Sequence, residues 1–170
     1  MKIFIASDIH GSAFWCEKML KAYKAEGADR MLLLGDILYH GPRNDLPQDY
    51  APKKVIEMLS EFKDEILCVR GNCDTEVDQM VLPFPILSDY ALITEGDTVI
   101  YATHGHKFGK DNPPPLKKGD LLLCGHTHVA ADCECDGFRY INPGSVSIPK
   151  ENTGNGYIIF ENGVFERKML

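Results

Sequence analysis

Two rhythms of apolar residues divide the chain. In the first half, short continuous apolar runs alternate with longer stretches of helical spacing. "KIFIAS" predicts a strand that stops at the polar "DIHG". Ser12 then stands at the capping position of a helix whose apolar residues Phe14, Met19, Leu20 and Tyr23 recur at roughly helical spacing as far as Gly27. "RMLLLGD" predicts a second strand, too uniformly apolar to keep one face wet and therefore buried on both. A loop rich in proline and asparagine, "YHGPRNDLPQDYAP", leads to a helix from about Lys53 to Phe62 with Val55, Ile56 and Leu59 inward, and "EILCVRGNCD" ends a third strand. This βαβαβ order predicts a parallel sheet with helices packed on it.

After "PFPILSDY" the rhythm changes to short strands and tight turns: "ALITEGDTVIYATHG", "LLLCGHTH", "ADCECDGFRYINPGS" and "GYIIFENGVFERKML". Glu95-Gly96-Asp97, Asp136-Gly137 and Asn162-Gly163 read as hairpin turns, so this half is expected to be antiparallel or mixed β structure. The proline-rich "DNPPPLKKGD" is placed as a surface loop overhanging the strand ends.

With 170 residues the chain has the size of one ordinary domain, and residues 1–170 are read as such. Its apolar runs stop far short of the ~20 residues that span a bilayer, so no membrane association is expected. The apolar start "MKIFIASDIHG" meets Asp8 and His10 without a small-residue cleavage site, which predicts no signal peptide and a cytoplasmic protein. Six cysteines are then expected to be reduced; Cys68 and Cys124 sit in apolar strand patterns, and Cys133-Glu134-Cys135 lacks the two-residue gap of a zinc knuckle. The net charge of −7 excludes a protein that grips long nucleic acid by neutralising phosphates. A phosphate-bearing substrate would need another attractor, and a metal ion serves.

The polar residues of interest stand directly after the apolar runs, where an open α/β sheet forms its binding crevice. Asp8 and His10 follow the first run, Asp36 the second, and Asn72, Cys73 and Asp74 the third. His104 and His106 follow "TVIYAT", and His126 and His128 follow "LLLC". Any one of these is weak, since a lone histidine is more often a hydrogen-bonded surface or core residue than a ligand. The ordered set of carboxylates, imidazoles and an amide at successive strand ends points to metal ligation, with carboxylates able to bridge two ions.

"SDIHG", "LLLGDIL", "VRGNCD", "ATHGH" and "CGHTH", in this order and spacing, resemble the calcineurin-like metallophosphoesterase superfamily, over nearly the whole chain from Lys2 to "NPGSVSIP". "HGPRNDLP", "YAPKKVIE" and "GNCDTEVDQM" resemble its small bacterial phosphodiesterases more closely. The resemblance implies an α/β fold, a four-layer α/β/β/α sandwich with two mixed β-sheets. It also implies two divalent metal ions, manganese foremost and zinc, iron, cobalt or nickel compatible with the donors. Asp8, His10 and His128 would hold one ion and Asn72, His104 and His126 the other, with Asp36 bridging. Such ions, about 3.5–4 Å apart, clamp phosphoryl oxygens, and a hydroxide shared between them attacks phosphorus in line. The implied partner is a small phosphoester, and the reading leaves room for a homo-oligomer.

Cys73 departs from the family pattern, which has a histidine there, held by the acid that follows, to assist the leaving group. A thiolate nucleophile would want an arginine six residues on, where Gln79 stands. Cys73 is therefore read as a replaced histidine whose catalytic part, if it has one, is that of a weak donor near the leaving group. Arg43 is read as a solvated loop arginine with the chemistry to meet a phosphate oxygen, and His106 as a pocket wall. Two other functions are weighed. A protein-binding scaffold of the same fold would have lost ligands that this chain keeps. A redox sensor at Cys73 would need an exposed, acidic thiol with a resolving cysteine beside it.

Overall fold

A computed structural model describes all residues, 1–170. The chain runs β1 (Ile3–Ala6), α1 (Ala13–Glu26), β2 (Arg30–Leu33), α2 (Pro52–Ser60), β3 (Ile66–Cys68), α3 (Glu76–Val81), β4 (Ala91–Glu95), β5 (Thr98–Ala102), β6 (Leu121–Leu123), β7 (Ala131–Glu134), β8 (Arg139–Asn142), β9 (Gly156–Glu161) and β10 (Val164–Met169). The strands form two mixed sheets of five, ordered β10-β9-β1-β2-β3 and β4-β5-β6-β8-β7. β1, β2 and β3 are parallel as the βαβαβ pattern predicts, and the C-terminal hairpin joins this same sheet, with β9 antiparallel to β1. In the second sheet β5, β6 and β8 are parallel, with β4 and β7 as antiparallel edges.

The continuous apolar runs have the expected cause. Along β1, Phe4 and Ala6 face the helices while Ile3 and Ile5 face the other sheet; along β2, Met31 and Leu33 do the former and Leu32 the latter. The inter-sheet core is closed from the second sheet by Ile100, Ala102, Leu123 and Ile141. On the outer face of that sheet Leu122, Cys124, Phe138 and Tyr140 form a smaller cluster, with Leu116 packed on it from the preceding segment.

α1 begins at Ser12, whose hydroxyl accepts from the Trp15 amide, and ends at Gly27 in the left-handed region, as its sequence signals predict. Its inward stripe is Ala13, Cys16, Met19, Leu20 and Tyr23; Phe14 is only half-buried, stacked edge-on against Trp15. α2 starts on Pro52 and buries Val55 and Leu59. α3 was missing from the periodicity reading because six residues hold too few apolar positions to show a period. Its signal is instead a reciprocal cap between Thr75 and Asp78.

Candidate metal centre

The site lies where the carboxyl ends of both sheets meet. Asp8, His10, Asp36, His126 and His128 all have positive φ, between 49° and 66°, a conformation rare outside glycine and one that lets a strand end turn sharply and aim a side chain back across the sheet. The turns after β2 and β3 press together so closely that a Cβ on Gly71 would collide with the Asp36 carboxylate.

Asp8, His10 and His128 form one group, and Asp8, Asp36 and His104 another, with ligand atoms within 4.8 Å of one another in each. Asp8 Oδ1 lies 3.2 Å from His128 Nε2 and 3.5 Å from His10 Nε2; Asp36 Oδ2 lies 3.6 Å from His10 Nε2 and 3.4 Å from His104 Nε2. Asn72 Oδ1 is 3.1 Å from His104 Nε2, and the His126 ring centroid is 5.0 Å from that of His104. All seven residues expected as ligands are thus brought together. The carboxylates, His10, His104 and His128 are buried, His126 is half-buried, and Asn72 is exposed at the mouth.

The proton inventory shows what the cluster lacks. His10 Nδ1 lies 2.7 Å from the Tyr39 carbonyl, His104 Nδ1 2.6 Å from that of Leu34, and His128 Nδ1 2.8 Å from that of Ile148. A carbonyl only accepts, so each ring donates there and, when neutral, turns a bare Nε2 lone pair inward. His10 Nε2 and His128 Nε2 then face each other at 3.2 Å, acceptor to acceptor, as do His104 Nε2 and Asn72 Oδ1. Asp8 Oδ1 is buried with no hydrogen-bond donor at all. Only protons or cations fill such a set. Imidazoles pinned through Nδ1, two carboxylates and an amide oxygen are the donors that divalent ions take, so the residues fit a metal pair.

The chain's own charges act on these groups in opposite directions. Burial disfavours the imidazolium of His104, but its contact with Asp36 and the charges of Asp8 and Asp36 outweigh this and hold its pKa up at about 9. Burial opposes ionisation of Asp8 too, yet His10 and His128 pull its carboxyl well below the usual range. His126 goes the other way, down to about 4, through burial and repulsion by His104.

Several supports of the site escaped the sequence reading. The Asp74 carboxylate accepts from the backbone N–H groups of Gly71 at 2.7 Å, Asp36 at 2.8 Å and Ile37 at 2.9 Å. That acid was expected to hold the side chain of residue 73; its oxygens are instead occupied in clamping the Asp36 turn. Asp36 Oδ1 in turn accepts from the Cys73 amide at 2.8 Å. Ser145 and Ser147 both donate to the Asp8 carbonyl, and Asp8 Oδ2 accepts from the His126 amide at 3.0 Å, tying the two sheets together. The run "NPGSVSIP" carried the serines, but nothing in its local pattern announces a partner 137 residues away.

Cys73 is buried at the cluster, with its sulfur within 4.8 Å of ligand atoms of His10 and Asp36. Burial and the neighbouring carboxylates push its thiol up to about 12. His106 stands beside the ligands, its ring 5.4 Å from that of His104. The site opens into a cavity of about 350 Å³, whose walls include Arg43, Cys73 and Lys150. A second cavity of about 560 Å³ adjoins it across His126 and Thr127, and only Asp111 and Asn112 of the proline-rich loop reach its wall.

Comparison with known proteins agrees with this geometry. The model of the calcineurin-like phosphoesterase superfamily domain matches residues 1–163. The chain is 45% identical to phosphodiesterase YfcE of Escherichia coli K12 over 164 residues, which cover 96% of this chain and 89% of the relative. It superposes on the solved structure of the E. coli phosphoesterase YfcE with a TM-score of 0.93 over 97% of this chain and 91% of the other. A probable metallophosphoesterase of Bacillus subtilis, YsnB, is 28% identical over 166 residues, 94% of this chain and 83% of that one. With the family model over residues 1–163 and a 45% identical relative over 96% of the chain, the chain belongs to the calcineurin-like phosphoesterase superfamily.

Proposed function

We propose that the protein is a cytoplasmic phosphodiesterase that hydrolyses small phosphoesters with two divalent cations, manganese foremost. In this reading Asp8, His10 and His128 hold one cation, Asn72, His104 and His126 the other, and Asp36 both. The observation that carries it is the convergence of unpaired acceptors, with Asp8 Oδ1 lacking any donor and two pairs of acceptors facing each other at 3.1–3.2 Å. When bound, the cations supply hydroxide at neutral pH and the positive charge that offsets charge developing on the phosphoryl oxygens.

The chain's own residues set the rest. Tyr39, Leu34 and Ile148 carbonyls fix the tautomer and angle of three imidazoles, so the donors are in place before substrate arrives. Asp74 holds the Asp36 turn and thereby its carboxylate. Cys73, buried beside the donors, is given neither the nucleophile's nor a ligand's part in this reading, and it offers a weak S–H donor to a departing oxygen. Hydrolysis forms one P–O bond from hydroxide and breaks the bond to the leaving alkoxide or phenoxide.

The test is hydrolysis of bis(4-nitrophenyl) phosphate by protein stripped with chelator and then reloaded. Activity is expected to vanish on stripping and return with manganese at two ions per chain. Full turnover by metal-free protein would sink the reading.

A further inference from the structure

The two cavities flanking the cluster differ in charge. Around the smaller one, Asp36 is the sole acid, while Arg43 and Lys150 both line the wall, although the chain as a whole carries a net charge of −7. Neither cation has an acidic partner, whereas Lys54, Lys107 and Arg139 are each paired with a nearby aspartate. Their backbones are well fixed. The Lys150 amide donates to the His128 carbonyl at 2.9 Å; the turn holding Arg43 is closed by Asn44 Nδ2 donating to the His40 carbonyl at 2.8 Å and packs through Gly41 on Cys73. The side chains themselves are exposed, at the rim and above the buried donors. In the larger cavity the charges are mixed. Lys107 is bound to Asp89 at 2.7 Å, Lys110 shares the wall with Asp111 and Glu151, and Val129, Ala131 and Tyr140 supply apolar surface.

We propose that Arg43 and Lys150 bind a second anionic group of the substrate, carried on one ester arm, while the other arm, neutral and organic, lies in the larger cavity. The preferred substrate class is then an unsymmetrical phosphodiester with one phosphate-like arm. This deepens the phosphodiesterase reading above and rests on it. The chemistry is that of a guanidinium and an ammonium, neither ion-paired within the chain, meeting a dianion.

The test compares two esters with the same leaving group, 4-nitrophenyl ethyl phosphate and 4-nitrophenyl 2-phosphonoethyl phosphate; the phosphonate arm cannot itself be hydrolysed. Manganese-loaded protein is expected to favour the phosphonate ester about tenfold in kcat/KM, chiefly through KM. In the Arg43→Ala/Lys150→Ala protein that ratio is expected to fall to about one, with melting temperature and manganese content confirming an intact fold. Calorimetric binding of ethane-1,2-diphosphonate against ethylphosphonate, to wild type and double variant, gives a readout free of turnover. No preference in wild type, or the same preference in the double variant, would overturn the proposal. Should neither ester be cleaved while the diphosphonate preference still depends on Arg43 and Lys150, the anion site stands and the phosphodiesterase reading fails.

Discussion

Carboxylates beside the two ends of β1 stand in opposite circumstances. Beside its start, Glu26, the last residue of α1, is fully partnered: Lys168 Nζ at 2.9 and 3.1 Å, Tyr157 Oη at 2.9 Å and Lys2 Nζ at 3.2 Å. After the strand, Asp8 has an oxygen with no donor, and Asp36 shares its surroundings with imidazoles that point lone pairs at one another. Both ends depress carboxyl pKa values, Glu26 to about 2 and Asp8 well below its usual range, so a shifted pKa does not tell structure from function. The count of donors does. Glu26 is complete within the chain, whereas the Asp8 and Asp36 cluster leaves an acceptor without a donor.

Asp36→Asn should break that difference most severely. An amide in place of the shared carboxylate removes the charge holding both cations, and kcat/KM is expected to drop at least about 10³-fold, a loss of several kcal/mol in transition-state stabilisation. The rise in melting temperature that manganese gives wild type should disappear as well, since stabilisation by a ligand tracks its affinity. A variant with two bound ions and near-normal turnover would refute the bridging role. Asp74 represents a third circumstance, a buried carboxylate satisfied entirely by backbone. Asp74→Ala leaves the amides of Gly71, Asp36 and Ile37 without their acceptor, which should cost about 3 kcal/mol in denaturant unfolding. Displacing Asp36 should also weaken manganese binding about 10- to 100-fold. Unchanged stability would mean that water replaces the carboxylate at those three amides.

Cys73 sharpens the comparison inside the site, because it lies among the expected ligands without being one of them. If hydroxide attacks and sulfur only donates weakly, Cys73→Ala keeps substantial activity on bis(4-nitrophenyl) phosphate, within about tenfold of wild type. Cys73→His should help poor leaving groups more than good ones, flattening the dependence of rate on leaving-group pKa. Since Asp74 is engaged with backbone amides, the new ring would have to be oriented by something else, and the gain should be modest. An alanine variant that binds two ions yet is inactive, or a histidine variant with an unchanged slope, would show the sulfur misread.

How much of this was legible in the sequence depends on range. β1, α1, β2, α2 and β3 were readable because each announces itself locally, through an apolar run, a serine cap or a terminal glycine. That the seven residues expected as ligands would meet at one place was legible because each follows such a run and the motif order is distinctive. What was hidden is what the backbone does. Positive φ at Asp8 and Asp36, the bonds from the Asp36 and Ile37 amides to Asp74 and the Ser145 and Ser147 bonds to Asp8 all depend on chain segments brought together only by the fold. Arg43 is an exposed loop residue as read, but that it shares a cavity wall with Lys150 has no sequence signature. The C-terminal hairpin was legible as a hairpin, but its place beside β1 was not, since an edge pairing leaves no local mark.

The smallest expected effect belongs to the completed end. Glu26 closes α1 onto β10 through Lys168 and onto the start of β1 through Lys2, with side chains from 14% to 32% exposed, so solvent screens much of the interaction. Glu26→Gln should therefore cost only about 1 kcal/mol at neutral pH, read as a small fall in denaturant midpoint, and should leave ester hydrolysis and manganese binding as they are. The pH dependence has a definite sign. Hydrogen bonding to Lys168, followed by Tyr157 and Lys2, outweighs burial and draws the folded pKa down to about 2, below the ~4.3 of an unfolded glutamate. A depressed carboxyl stabilises the fold above the unfolded value and loses that contribution as pH falls toward the folded one. The gap between wild type and variant should thus be constant from neutral pH to about 5, narrow below about 4.3 and close near 2. A gap that widened on acidification, or any loss of manganese from the variant, would mean that the two ends of β1 are coupled and that Glu26 is part of the site after all.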